Sequence, residues 1–247
     1  MKKLIGVLLL TFAGVVILVA SRQAPLETHP NAAVLPSQTE APSPSPLPIT
    51  VTPFIDGSQV TLIANYTEKK TGQELMSENS CNYLVNAGFY TKEGRPVGYV
   101  KINDQILKHE KESLLFDGFV TINELRTPRI TRSLPHDPLT YALQTGPMLI
   151  ENGDPLILKI QNDKEARRMF ALIDGNNKIL FGLVLSSTLA DLPRVVFDWA
   201  SSQNIAVADS INLDGGSAST YRGPNGIYPE ISPIGSAFCI KEVISSK

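Results

Sequence analysis

The amino-acid sequence predicts an α+β domain that is strand-rich, built on mixed or antiparallel sheets, with few helices. Two observations carry this. Short runs of β-branched and aromatic residues recur past residue 53, and one stretch alone has a helical period.

The expected strands are Val60–Ala64, Leu84–Asn86, Gly98–Ile102, Gly118–Ile122, Leu156–Leu158, Met169–Ile173 and Ile179–Leu185. Asp174-Gly175-Asn176-Asn177 stands between the last two and reads as a hairpin turn. The helix is expected where Leu189, Leu192, Val195, Val196 and Trp199 recur at helical spacing. Ser187 or Thr188 can cap it, Pro193 is tolerated in its first turns, and Ser201–Asn204 ends it. A strand over Ile205–Ile211 follows, giving a helix-strand-loop unit.

The chain before this domain has a different character. Lys2-Lys3 precede an unbroken apolar run from Leu4 to Ala20, the pattern of an export signal. Its length is near the lower limit for a membrane span, so cleavage after Ala20 or Ser21 and retention as an anchor are both open. From Arg22 to Pro53 the chain is rich in Pro and Ser, including Pro-Ser-Pro-Ser-Pro at 42 to 46, and carries too little apolar surface to fold. The expected organisation is an export signal or signal anchor over 1–21, a spacer over 22–53, and a folded domain over 54–247. That domain is expected outside the cytoplasmic membrane, tethered through the N-terminal segment or released after cleavage.

Composition limits the function classes. A 43% hydrophobic content can supply a core, and a net charge of −2 with scattered aromatics gives no nucleic-acid surface. The three His, at 29, 109 and 136, stand in no recognisable triad setting, and no Gly-x-Ser-x-Gly elbow occurs. The two Cys, at 81 and 239, lack zinc-ligand spacing. In an exported chain they form either one disulfide or two buried thiols. No cofactor is expected, although an oxygen-ligated divalent cation near Asp209, Asn212 and Asp214 is left open.

The richest chemistry lies in Asn212-Leu213-Asp214-Gly215-Gly216-Ser217-Ala218-Ser219-Thr220, where a carboxylate leaves a strand beside flexible backbone and hydroxyls. Asp-Gly is also an ordinary turn signal. Other segments join it: Asn86-Ala87-Gly88-Phe89-Tyr90, Pro96-Val97-Gly98-Tyr99, Gln144-Thr145-Gly146-Pro147-Met148-Leu149 and Arg167-Arg168-Met169-Phe170-Ala171. In this order the set, spanning about residues 58 to 243, resembles the phosphodiester glycosidase family.

The resemblance implies a hydrolase whose partner is a carbohydrate or sugar phosphate, a sugar joined through its anomeric oxygen to a phosphodiester. On that reading Asp214 is the working carboxylate and Arg168 clamps phosphate with its forked donors. Asn86, Gly88, Gly146 and Asn212 then line the substrate, and Gly215, Gly216, Ser217 and Ser219 present N–H and hydroxyl donors. The chain departs from the family pattern in two places. Ser217-Ala218-Ser219 stands where many members have a third Gly and then Ser, and Met169 where many have Thr. The missing hydroxyl motivates the alternative, a non-catalytic glycan-binding or envelope-polysaccharide assembly module on the same fold.

Overall fold

The computed structural model describes residues 49–241, so the expected export segment and the spacer up to residue 48 lie outside the described residues. Every strand pairing among the described residues is antiparallel, the second of the two sheet types expected. With two α-helices, Gly72–Glu78 and Leu192–Ser202, the described chain is mostly β rather than α+β.

Three sheets make up the fold. The first has six strands in the order Ile49–Val51, Ile179–Ser187, Ala166–Asp174, Val207–Asn212, Met148–Glu151, Asp154–Pro155. The second runs Gly226–Tyr228, Tyr221–Gly223, Tyr83–Asn86, Ser236–Ile240, Val60–Ala64. The third runs Gln105–Lys108, Val100–Ile102, Leu139–Thr145, Gly118–Asn123, Pro128–Thr131.

Side-chain alternation assigns the faces. Met169, Ala171 and Ile173 face a central core that also receives Val85 and Phe238 from the second sheet and Val120 and Leu143 from the third. The intervening Phe170 and Leu172 face the other way, against Leu192, Val196 and Ala200 of the second helix. Likewise Leu84, Ala237 and Cys239 face outward to the first helix through Leu75. Strands buried on both faces read as continuous apolar runs, which is why periodicity alone did not separate their faces.

The strand bounds carry further corrections. Ile49–Val51 is the edge strand of the six-stranded sheet, paired with Gly182–Val184, so these residues of the expected spacer belong to the folded unit. Thr52 extends the attachment, its N–H donating to Phe181 O at 2.9 Å and its hydroxyl accepting from Phe181 N–H at 3.0 Å. Leu156–Leu158 forms no strand, and Ile157 is 90% exposed. The strand expected from Ile205 begins at Val207, because Ile205 N–H still bonds back to Ala200 O of the helix at 2.9 Å. The second helix starts at Leu192 with Asp191 at its N-cap, since Ser187 stays paired with Ala166 in the sheet. The first helix was not expected; its signal is the capping box of Thr71 and Glu74. The hairpin turn forms as expected, Asp174 N–H donating to Lys178 O at 3.0 Å.

Cys81 and Cys239 are joined by a disulfide with Cα atoms 5.4 Å apart. It ties the loop before Tyr83–Asn86 to the neighbouring strand Ser236–Ile240.

Candidate active site

Asp214 stands where the chain leaves the six-stranded sheet and meets the second one. Leu213 N–H donates to Met169 O at 2.8 Å, and the next amide, Asp214 N–H, donates to Ala87 O at 3.0 Å. Ala87 N–H in turn bonds to Ser236 O at 2.9 Å. Consecutive amides thus bridge two sheets and fix the carboxylate at their junction.

Asn86 closes this arrangement. Its side-chain amide donates to Asp214 O at 2.6 Å, and its side-chain oxygen accepts from Thr220 N–H at 2.8 Å. Those bonds hold both ends of the Asp214–Thr220 loop, so the amide expected to meet substrate is engaged in shaping the loop. Gly88 is needed for packing: a Cβ there would lie 2.5 Å from Leu143 Cδ1, while its N–H donates to Ser236 Oγ at 3.0 Å.

Burial pushes the Asp214 carboxyl from its ordinary range up to about 7, against a hydrogen bond from Gly215 N–H that favours the charged form. A group poised near neutrality can take or give a proton at physiological pH. Gly216 has φ +67°, the left-handed region that favours glycine, and turns the chain so that Ser217 is exposed. Ser217 Oγ is 2.9 Å from Ser232 Oγ, and Ser217 O accepts from Ile231 and Ser232 N–H at 2.7 and 3.0 Å. The segment after Pro229 is thereby strapped onto the Gly-Gly-Ser turn. Ser219 is fully buried, its hydroxyl directed at Arg167 O at 3.4 Å.

Arg168 is beside the site, but its fork is committed elsewhere. A Cβ on Gly215 would lie 3.7 Å from Arg168 Cδ. The guanidinium Nε donates to Ser187 O at 3.0 Å, and Nη2 donates to Lys164 O at 2.8 Å and to Asp163 at 3.1 Å. Asp163 is itself held below the usual carboxylate range: burial opposes ionisation, and backbone N–H groups of Leu189 and Ala190 together with Arg168 outweigh it. Nη1 carries no hydrogen bond among the described residues. The neighbouring Arg167 donates to Pro229 O at 2.9 Å. Met169 points into the central core and is fully buried.

Gly146 and Asn212 serve the sheet rather than an open cleft. Asn212 donates its side-chain amide to Gly146 O at 2.8 Å, and its N–H donates to Pro147 O at 2.9 Å. A Cβ at Gly146 would lie 2.4 Å from Leu115 O, so no larger residue fits there. Asp209 accepts from Asn152 N–H at 3.1 Å, and among the described residues no three His, Cys, Asp or Glu side chains gather as metal ligands.

The structure adds two residues that sequence reasoning missed, Tyr66 and Ser236. The Tyr66 hydroxyl is buried beside Ser236 and within the field of Asp214, with no hydrogen bond of regular geometry among the described residues. Burial pushes it up to about 12, and the Asp214 charge adds to the effect while Ser236 opposes it. Tyr66, Tyr90, Lys69, Lys92 and Gly235 line a cavity of about 120 Å³. A larger depression, of about 710 Å³, lies away from Asp214 against Glu110–Asp117. Asp214 is thus a carboxyl perturbed by burial at the point where two sheets converge, which makes it the candidate for the chemistry.

The profile of the family described as phosphodiester glycosidase matches residues 79–241. Among curated protein sequences nothing matches. Among solved structures, the chain is similar to the zebrafish N-acetylglucosamine-1-phosphodiester alpha-N-acetylglucosaminidase catalytic domain auto-inhibited by pro-peptide. That match has a TM-score of 0.62 at 14% identity and covers 83% of this chain and 86% of that one. It is also similar to a hypothetical protein from Synechocystis, with a TM-score of 0.58 at 12% identity over 79% of this chain and 59% of that one. At these identities the structural likenesses speak for the fold.

Proposed function

Because this chain belongs to the phosphodiester glycosidase family, a family of hydrolases, we propose that it hydrolyses a sugar phosphodiester at Asp214. The observation that carries the reading is the placement of that carboxyl at the junction of two sheets, poised near neutrality.

Asp214, when ionised, takes a proton from water as the water oxygen bonds to the anomeric carbon. The bond from that carbon to the phosphate oxygen breaks, its electron pair leaving with the phosphate. A phosphate monoester departs without needing a proton from the protein, so one carboxylate carries the work that ordinary glycosidases divide between two. Gly215 N–H orients the carboxylate, and Asn86 holds its backbone in place. Arg168 contributes through Nη1 alone, with the remainder of its fork fixing the strand beside Gly215.

The substrate proposed is an extracytoplasmic or envelope glycan. The disulfide supports an oxidising compartment, and the basic-then-apolar N-terminus supports export with the membrane as partner while that segment is retained. No helix among the described residues is long and apolar enough to cross a membrane. Finding the full-length chain soluble in the cytoplasm on fractionation sinks the export reading.

Assay of the full chain on a chromogenic sugar phosphodiester tests the function. Turnover that falls by about 10²-fold or more in Asp214→Asn supports it. The commitment of Arg168 to Asp163 and backbone favours a second reading, a glycan-binding module; binding to envelope polysaccharide with no turnover by the unmutated chain would select it.

A further inference from the structure

The cavity beside Tyr66 does not end there. Tyr66 and Gly94 also line a second depression of about 390 Å³, and Arg95, Pro96 and Leu107 continue from that one into a third of about 590 Å³. The second and third are each of a size that sites for whole ligands occupy, so the run is longer than one sugar phosphate needs. The second and third depressions are more open to solvent than the first.

Its charge is one-sided. Lys69 and Lys92 line the first depression and Arg95, Lys108 and Lys111 the third, and neither is lined by a carboxylate. Glu68 is the single acidic residue lining the second, and it pairs with Lys70 at 2.5 Å. Lys69, Lys92, Lys108 and Lys111 form no ion pair among the described residues, and Arg95 meets only Glu93 at 3.8 Å, both exposed. Beyond Lys111 the surface turns mixed, with Glu110, Glu112 and Asp117 ending the positive run. Tyr66, which lies within the field of Asp214, and Tyr90 line the first depression, where an aromatic face can pack against a sugar ring.

We propose that this trough binds an extended glycan whose units are joined by phosphodiesters, with successive phosphates along Lys92, Arg95, Lys108 and Lys111 and the bond to be cut at Asp214. The proposal rests on the hydrolase reading for which bond is cut, but the trough's preference for a polyanion is separately measurable. Multiple exposed cations, each contributing little, sum along a polymer and are weakened by salt.

The test uses the unmutated full chain and non-hydrolysable methylenephosphonate-linked sugar oligomers, compared with the single repeat and a neutral glucan of equal length. The oligomer is expected to bind at least about tenfold more tightly than the repeat, with the gap shrinking as salt rises. Lys108→Glu with Lys111→Glu, both at exposed positions, is expected to remove most of that gap. Equal affinity for oligomer and repeat, equal affinity for the neutral glucan, or a gap untouched by the charge reversals would each overturn the proposal. Absence of hydrolysis on natural phosphodiester substrates, with the binding gap intact, removes the hydrolase reading and leaves the trough.

Discussion

Asn86 donates its side-chain amide to the backbone carbonyl of Asp214 at 2.6 Å, across 128 residues of chain. With its oxygen it accepts from Thr220 N–H at 2.8 Å, so one buried side chain spans the loop that carries the carboxylate.

Asn86→Ala leaves both backbone groups without those partners in a place where water does not reach easily. The expected loss is about 2–4 kcal/mol of stability, with turnover falling further than the stability loss explains because Asp214 is no longer held. Urea unfolding and steady-state kinetics below the transition check it. A variant as stable and as active as the parent would show that the loop is held by other means.

Asp214 should be a source of instability as well as of activity. Its folded carboxyl lies near 7 and its ordinary value is 3.8, so the folded state retains a proton that the unfolded chain has lost between those values. Stability contributed by that proton is therefore present at low pH and lost as pH rises to about 7. Asp214→Asn removes the burial cost of the charge, and near pH 8 the variant is expected to be more stable than the parent, on the order of 3 kcal/mol. The difference should close toward pH 4. Thermal unfolding at both pH values measures it, and a variant less stable at pH 8 contradicts the assigned burial.

Tyr66→Phe separates a working hydroxyl from a packing one. The hydroxyl is buried without a regular hydrogen bond, so its removal is expected to leave stability unchanged or slightly raised. If it donates to a substrate oxygen or orients Asp214, kcat falls about tenfold or more with KM less affected, and the limb of the pH profile governed by Asp214 moves. An unaltered kcat and unaltered profile would leave Tyr66 as a wall of the cavity.

Reduction of the Cys81–Cys239 disulfide releases a constraint over a sequence separation of 158 residues. Chain-entropy reasoning gives a loss of about 5 kcal/mol. Unfolding with and without a reductant measures it, and titration of the native protein should find no reactive thiol. Equal stability in both states would assign the bond no role in holding the two strands together.

Much of the second half of the domain was legible because its patterns are local. The hairpin at Asp174–Lys178 announces itself by Asp-Gly-Asn-Asn, and the helix Leu192–Ser202 by its apolar period. The Asp214 loop stood out as a carboxylate, two glycines and hydroxyls directly after an apolar run, although Asp-Gly is also an ordinary turn signal, and the ordered motifs carried the family. What stayed hidden depends on pairing across the chain. Met169 looked like a lost hydroxyl at a site, but the alternation of its strand turns it into the core, while Arg168, one residue earlier, faces the other way toward Ser187 and Asp163. Tyr66 sits in a segment with no motif, and the pairing of Ala64 with Ser236, with Asn65 N–H donating to Gly235 O, brings it toward Asp214. The Ile49–Val51 strand was masked by the prolines around it, since an edge strand tolerates them where a central one does not.

If Asp214 works as a base at the junction of two sheets, the pH dependence of kcat/KM for the full chain on a sugar phosphodiester will report its ionisation. A base acts when ionised, so kcat/KM is expected to rise with pH, with an apparent pKa near the Asp214 value of about 7, and to level off above it. A profile that is flat from about pH 5 to 9, or one that falls as pH rises through 7, would show that Asp214 is not the base.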